Sequence, residues 1–463
     1  LRAQLNQAAL WREQGQTARA EAQLVALSQQ HPHQAEVWSA LGECYDRSQR
    51  GEQALAAQER AYRLQPEHPG RRLAWLDARR KVCAWGEDWP EQLVWLHAQL
   101  VVDAHSEQDP SLPPLTSLRF PSTPAEQRTV AEAQARRIAA QVAELPRPQP
   151  SAAQPTDGRL RLGLLSHEFR ANVVGHFLRH LPAAFDRERF VVEAFVYNPD
   201  DGSAIRRDLL AGCDQVHDLT TVSTTEAAAC IAARGMQILI DINPYMEGGR
   251  PEIAALRPAP IQLSYLYPGT SGAPWIDGIL IDEIVVPPAQ AGAYSEALLA
   301  LPPSYLPATG RVPIATDCPP RAHYGLPESG VVLCCFNRAD KLDPETFAAW
   351  LRILAAVPEA VLWLAAEAPI LQRLHALAQR QGIDPARLIA VAHEPEMAVH
   401  LARHRHADLF LDTFIHGAHV TAADALWAGL PLLTRLGETY AGRVAASLLS
   451  AAGLSELIAV DTE

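Results

Sequence analysis

Along residues 160–300, short apolar runs alternate with stretches of helical period. The runs cover 160–166, 190–197, 238–242, 261–266 and 279–286. Apolar runs of this length, bounded by turn residues, predict strands buried on both faces, and their alternation with helices predicts a parallel sheet. A second series covers 331–336, 361–364, 388–392, 409–411 and 432–434, and ends near 457–460. Between the two series, 301–320 is rich in proline and poor in periodicity. Upstream the texture differs. Residues 1–105 read as helical throughout, 110–121 is proline-rich, a long Ala/Gln/Arg/Glu helix runs from about 123 to 145, and 146–156 is a linker. We therefore expect an all-α part over 1–105, a connector over 106–156, an α/β lobe over 157–300, a linker over 301–320 and a second α/β lobe over 321–463. Two such lobes would place a ligand cleft at the carboxyl ends of their strands.

Within the helical part, Trp38, Leu41, Gly42, Tyr45, Ala54, Ala61 and Pro66 form a spaced set. Gly42 and Ala54 allow two antiparallel helices to approach, the large side chains fill around them, and Pro66 ends the pair. Ala8, Trp11, Ala20 and Pro32 repeat the pattern 34 residues earlier, and Leu73, Trp75, Cys83 and Trp85 suggest a third, eroded unit. The spacing resembles the tetratricopeptide repeat; an ordinary helical bundle is the other reading. A repeat array has a concave face suited to extended peptides.

Composition narrows the class. With 463 residues, 48% hydrophobic and 20% charged, the chain can bury large cores, which excludes whole-chain disorder and a small disulfide scaffold. A net charge of −13 argues against bulk nucleic-acid binding. The seven cysteines form no C-x-x-C pair, so free thiols in a reducing cytoplasm are expected. No apolar stretch is long enough to span a membrane, and the first thirty residues do not read as a signal peptide. Leu1 in place of Met, and an end at Glu463 soon after a strand, lead us to expect further residues beyond both ends.

There is no Gly-x-Gly-x-x-Gly after the first strand, no P-loop, no Gly-x-Ser-x-Gly and no His-Glu-x-x-His. Four polar islands at strand ends carry the candidate chemistry instead. The first runs from Ser166 to His176, where a histidine could handle a proton near neutral pH, with packing or capping as the plainer role. The second contains Pro268-Gly269-Thr270-Ser271-Gly272, a tight turn whose backbone N–H groups could receive a sugar hydroxyl or a phosphate oxygen. The third, 336–344, carries Arg338 and Lys341; the lysine suits a diphosphate whose charge grows on departure, or else pairs with Asp340 or Asp343. The fourth holds His416, His419, Val420, Thr421 and Asp424 ahead of a helix, a loop and helix N-terminus that together make an anion site. Thr421 adds a hydroxyl and Asp424 can accept from ribose hydroxyls. His400 and Arg403, one turn apart, could flank a base, and Glu438-Thr439 opens a further strand–loop–helix unit. The histidines between 393 and 419 do not have the spacing of a compact metal-ligand set.

Repeats followed by Arg-Pro-Ala-Pro-Ile-Gln (257–262), Tyr-Pro-Gly-Thr-Ser-Gly (267–272), Phe-Asn-x-x-x-Lys-x-Asp-Pro (336–344), Gly-x-His-x-Thr-x-x-Asp-x-Leu-Trp-Ala-Gly (417–429) and Gly-Glu-Thr-x-x-x-Arg-Val-Ala-Ala-Ser (437–447) form a specific combination. It resembles the O-linked N-acetylglucosamine transferase family, in a bacterial-looking version without the long insert between lobes. The resemblance implies a GT-B fold of two Rossmann-like lobes. It also implies an inverting reaction that uses UDP-N-acetylglucosamine as donor substrate, no metal, no further cofactor, and a Ser/Thr hydroxyl on a polypeptide as acceptor. Lys341 matches the lysine at the diphosphate, and His400 and Arg403 the helix beside the uracil. His419 and Thr421 match the phosphate loop, and Asp424 the ribose carboxylate. Ala392, at the end of the 388–392 run, Arg338, Pro268, Gly269, Thr270, His416, Val420, Glu438 and Thr439 complete the candidate donor set. Three positions depart. The pattern Ser-x-Asp-Phe-x-x-His reads here Ser166, Glu168, Phe169 and Asn172, and an amide cannot act as a general base. His176 is retained and becomes the candidate for a proton or positioning role beside Asn172. Val420 stands where threonine is usual.

Two other readings stay open at this point: a UDP-hexose transferase acting on Asn or a small molecule, and a non-catalytic repeat scaffold that binds a UDP-sugar. Expected partners are the UDP-sugar and an extended peptide along the repeats, with no nucleic acid and no membrane; self-association through the repeats is left open.

Overall fold

The computed structural model describes residues 1–105, 113–150, 157–307, 312–391 and 394–462. Parts of the expected connector (106–112), linker (151–156) and interlobe segment (308–311) lie outside the described residues. The chain forms two compact units by its internal contacts, Leu1–Val102 with Pro319–His393 and His406–Phe414, and Asp103–Cys318 with Glu394–Arg405 and Ile415–Glu463.

Helices Arg2–Glu13, Thr17–Gln30, Ala35–Arg47, Gly51–Leu64, Pro69–Lys81 and Trp89–His105 follow one another from the N-terminus. Their pairing follows from the small residues. A Cβ at position 42 would stand 2.5 Å from Gln58 Nε2, so glycine admits the Gln58 side chain, whose amide donates to the Ser39 carbonyl at 3.2 Å. Ala54, Ala57 and Ala61 are buried on the facing helix. Ala8, Ala20, Leu24, Leu27, Val37, Leu41 and Cys44 make the core of the first pairs. The Trp38 indole donates to the Pro32 carbonyl at 3.0 Å and ties one pair to the next. The third unit continues the pattern: Trp75 stacks on Tyr62 at 4.5 Å, and Leu73 and Cys83 are buried.

The second unit carries a seven-stranded parallel sheet of β1 (Leu160–Ser166), β2 (Phe190–Val196), β3 (Gln215–Asp218), β4 (Ile238–Ile242), β5 (Ile261–Tyr265), β6 (Gly278–Ile281) and β7 (Ala297–Ala300), in the order β3-β2-β1-β4-β5-β6-β7. Leu162 of β1 lies opposite Val192 of β2 and Ile238 of β4. Apolar layers cover both faces, one around Leu165, Phe195 and Leu239, the other around Leu162, Leu164 and Val192. The helix Pro124–Gln141 packs here, started by a capping box between Thr123 and Glu126.

Strands β8 (Val332–Cys335), β9 (Val361–Leu364), β10 (Leu388–Ala390) and β11 (Leu409–Leu411) are parallel in the order β10-β9-β8-β11 within the first unit. In the second unit β12 (Leu432–Arg435) pairs in parallel with β13 (Ile458–Ala459). In each sheet the order reverses at one place, between β1 and β4 and between β8 and β11. These are the points where open α/β sheets form a crevice beyond their strand ends.

The run 279–286 forms a strand only to Ile281. Asp282 Oδ1 accepts from the N–H groups of Ile284 and Val285 at 3.0 and 2.8 Å and turns the chain there. Strands β3 and β7 were not expected, because both are edge strands; Gln215, Val216, Leu299 and Ala300 are exposed and leave no apolar run to read. All seven cysteines are free, and among the described residues no helix is long and apolar enough to cross a membrane.

Candidate functional site

The first island leaves β1 at the sheet's switch point. Ser166 Oγ donates to the Ile242 carbonyl at 3.2 Å and accepts from Glu168 N at 3.0 Å, joining the ends of β1 and β4. Asn172 then caps the helix Val173–Leu178. Its Oδ1 accepts from Gly175 N at 2.8 Å, and its amide donates to the buried Glu168 carboxylate. Gly175 must lack a side chain, since a Cβ would stand 1.9 Å from the Arg170 carbonyl oxygen. His176 sits half-buried in the same helix, and burial, with Arg179 nearby, pushes its pKa below the ordinary value. The imidazole is therefore neutral at pH 7, the form that can accept a proton.

Two residues here were passed over in sequence. His167 is 4% exposed, stacks on Tyr197 with centroids 5.8 Å apart, and has Nε2 3.2 Å from Glu168 Oε1. Asp241, next to last in β4, is 2% exposed, and burial, with the Glu252 charge adding to it, pushes its pKa up to about 8. Its one signal in sequence is an acid inside the apolar run 238–242.

The second island is held from beneath. Buried Glu296 accepts from Thr270 Oγ1 at 2.6 Å, from Ser271 N at 2.5 Å and from the Ser271 hydroxyl. Gly269 N donates to the Tyr267 carbonyl at 2.9 Å and Gly272 N to Thr270 Oγ1 at 3.2 Å. Three N–H groups that the sequence offers to ligand oxygens thus bond within the protein: Ser271 N to a carboxylate 25 residues downstream, and Gly269 N and Gly272 N to acceptors within the turn itself. Pro268, Gly269 and Thr270 shape this wall.

Lys341 and Arg338 belong to the first unit, in the turn after β8. Asn337 anchors that turn, its amide donating to Asp412 Oδ1 at 3.2 Å and Thr413 Oγ1 at 2.9 Å beyond β11. A single helical turn, Ala339–Lys341, follows, with Lys341 N donating to the Arg338 carbonyl at 3.0 Å. Lys341 is half-buried. Two carboxylates flank it in sequence. Asp343 caps the helix Pro344–Ala356 through the N–H groups of Glu345 and Thr346, and Asp340 faces the exposed Arg338 guanidinium at 3.4 Å.

The remaining candidates lie in the second unit. His416 and His419 stack at 4.8 Å, and His419 Nε2 meets the Ala441 carbonyl at 3.1 Å. His419 is the N-cap of the helix Val420–Trp427, which places Val420 and Thr421 in its first turn and half-buried Asp424 in its second. Burial raises Asp424 to about 6. The helix Met397–Ala402 packs against this one. At its end Arg403 Nη2 meets His400 Nδ1 at 2.5 Å, and Arg403 is 4% exposed. Glu438 is exposed and offers its carbonyl to Gln290, whereas Thr439 is buried and its carbonyl receives Gly442 N. Ala392 lies outside the described residues. Among the described residues no group of three or more His, Cys, Asp or Glu side chains could hold a metal ion.

Parallel sheets with polar loops at their switch points define an open, doubly wound α/β protein. The chain belongs to glycosyl transferase family 41, whose profile matches residues 82–312 and 305–463. It is 36% identical over 313 residues to the probable UDP-N-acetylglucosamine–peptide N-acetylglucosaminyltransferase SEC of Arabidopsis thaliana, covering 66% of this chain and 32% of that one. The corresponding Caenorhabditis elegans transferase is 28% identical, with 65% and 36% covered. The chain thus spans about a third of the length of these curated relatives. A solved mutant of the Thermobaculum terrenum O-GlcNAc transferase superposes with a TM-score of 0.79 at 25% identity, covering all of this chain and 87% of that one. The fold is a helical, tetratricopeptide-like part followed by a two-lobed GT-B body.

Proposed function

We propose that the protein is an inverting, metal-independent transferase that moves N-acetylglucosamine from UDP-N-acetylglucosamine to Ser or Thr hydroxyls of a polypeptide. The observation that carries this reading is the pair of polar turns at the β8/β11 switch point and at the N-terminus of the helix Val420–Trp427, each in the loop that the family resemblance gives to the donor. In this mechanism the acceptor oxygen attacks the anomeric carbon while the bond to the diphosphate breaks. Lys341 meets the charge that grows on the leaving UDP; the N–H groups of the helix first turn and the Thr421 hydroxyl meet the phosphates, so these groups take the place of a divalent ion. Asp424 accepts from ribose hydroxyls, and His400 with Arg403 flanks the uracil. Asn172 has both side-chain atoms engaged and cannot take the acceptor's proton; neutral His176 takes it.

Calorimetry with UDP and UDP-N-acetylglucosamine in EDTA, followed by transfer to a Ser/Thr peptide, tests this. Micromolar metal-free binding and transfer are expected, with His176→Gln cutting transfer by about 10²-fold while UDP affinity stays within twofold. No binding of either ligand refutes the donor; undiminished transfer by the variant removes His176 from the proton path. A binding-only scaffold is favoured by one observation, the capping role of Asn172, and would show binding without transfer even in Asn172→His.

Donor affinity should depend on pH through Asp424. Its ionised carboxylate accepts from ribose more strongly than the protonated acid, so affinity for UDP-N-acetylglucosamine is flat above neutrality and declines as pH drops through about 6. The limit is about tenfold per pH unit. The same raised value means that the folded protein holds this proton where the unfolded chain has lost it, so its contribution to stability weakens as pH rises from about 4 towards 6. Asp424→Asn should flatten the affinity profile relative to wild type; an unchanged profile would remove Asp424 from the ribose.

A further inference from the structure

The repeat helix Pro69–Lys81 ends in Arg79-Arg80-Lys81. Three cations at a helix C-terminus suit its dipole and are ordinarily solvated, but the Arg80 side chain is only 2% exposed. Its Nε and Nη2 donate to Asp77 Oδ1 at 3.2 and 2.6 Å, and Lys81 Nζ stands 2.8 Å from Asp77 Oδ2. Burial pushes the Asp77 carboxyl upward, yet Arg80 and Lys81 together outweigh it and hold the group well below the usual carboxylate range. Asp77 is therefore a fixed anion that orients the guanidinium, and the remaining nitrogen, Nη1, donates to the backbone carbonyl of Asp340. Two residues after the helix, buried Cys83 donates from Sγ to the Ala339 carbonyl at 3.6 Å. Two successive carbonyls of the turn that carries Lys341 are thus held by residues 80–83.

The carbonyl that Arg80 grips belongs to the peptide unit whose nitrogen is that of Lys341. A peptide unit is planar. Fixing its oxygen from one side, while its N–H is fixed to the Arg338 carbonyl at 3.0 Å, sets the plane from which the Lys341 side chain departs. A planar, forked guanidinium can hold Asp77 and a carbonyl in one geometry; an ammonium, a point charge on a shorter reach, cannot reproduce both. We infer that Arg80, oriented by Asp77, is a positioning residue for Lys341, so that this repeat helix aims the lysine rather than merely fastening the repeats to the β8–β11 sheet.

This rests on the reading of Lys341 as the diphosphate lysine, and the test separates the two. UDP affinity of the full chain is measured by calorimetry, and unfolding temperature by scanning calorimetry, for Arg80→Lys, Arg80→Met, Lys341→Ala and the double variants. Arg80→Lys keeps the charge beside Asp77 and should fold, yet weaken UDP binding about fivefold to twentyfold. In the Lys341→Ala background the same change should alter UDP affinity less than twofold, because its effect runs through the lysine. Full additivity of the two losses, or a lowered unfolding temperature with unchanged affinity, overturns the positioning role. Lys341→Ala that leaves UDP affinity and transfer unchanged overturns the diphosphate reading instead. If Arg80→Met does not fold, Arg80→Lys and Asp77→Asn carry the comparison, Asp77→Asn being expected to mimic the loss seen with Arg80→Lys.

Discussion

Lys341→Ala should lower the transfer rate by about 10²–10³-fold and leave the protein folded. The local geometry sets both halves of that expectation. Lys341 is half-buried in a turn whose shape depends on backbone and on other side chains: Asn337 on Asp412 and Thr413, Asp343 on the following helix, Arg80 on the Asp340 carbonyl. Removing an ammonium from this frame deletes a charge and few packing contacts. In the proposed mechanism the charge matters most when the bond to the diphosphate breaks, because negative charge on UDP is then greater than in the ground state. The loss should therefore fall on kcat and kcat/KM together, and UDP should bind less tightly as product. Steady-state kinetics with the peptide acceptor measures it. A change confined to KM for the donor would show that Lys341 only holds the substrate.

Gly272→Ala should destabilise the second unit by about 3–4 kcal/mol, against almost nothing for Gly292→Ala. Gly272 closes the Tyr-Pro-Gly-Thr-Ser-Gly turn at φ +63°, in the left-handed region that L side chains disfavour. A Cβ there would stand 2.3 Å from Glu132 N and 2.4 Å from the Ala131 carbonyl carbon, the backbone of the helix Pro124–Gln141. A helix backbone cannot yield as a side-chain tip does, so the turn or the helix has to move, and the Glu296 bonds to Thr270 and Ser271 move with it. At Gly292 nothing lies within 4 Å and φ is not positive. Scanning calorimetry should find the Gly272 variant melting on the order of 10 °C lower. Equal melting of the two variants would mean that the turn is not packed on that helix.

Much of the architecture was legible because it is written locally. The runs of β8 and β9 are apolar throughout and those of β1, β2, β4 and β5 mostly so, broken by single residues such as Arg161, Glu193, Asp241 and Gln262, since strands in the middle of a parallel sheet are covered on both faces. The repeat spacing was legible because Gly42, Ala54 and Ala61 recur where helices must touch. The turns with Lys341 and with His416–Asp424 stood out as dense polar islands between such runs. The edge strands β3 and β7 did not, since a strand with an exposed face carries no continuous apolar run.

By itself, then, the sequence determined the helical repeats, the two α/β series, the family and the polar islands, because propensity, period and motif act over a few residues. Tertiary structure alone decided what those islands do. It turned Asn172 from a substitution at a histidine position into a helix cap bonded to Glu168, and directed the Ser271 N–H and the Thr270 and Ser271 hydroxyls of the 267–272 turn inward to Glu296. It buried Asp241 until its carboxyl titrates at about 8. It also brought Arg80 to the carbonyl of Asp340 across 260 residues of chain. Apart from the local Asn172 cap, each of these depends on which distant group arrives at a buried site, and burial and partnering of that kind have no period or spacing that a linear reading can detect.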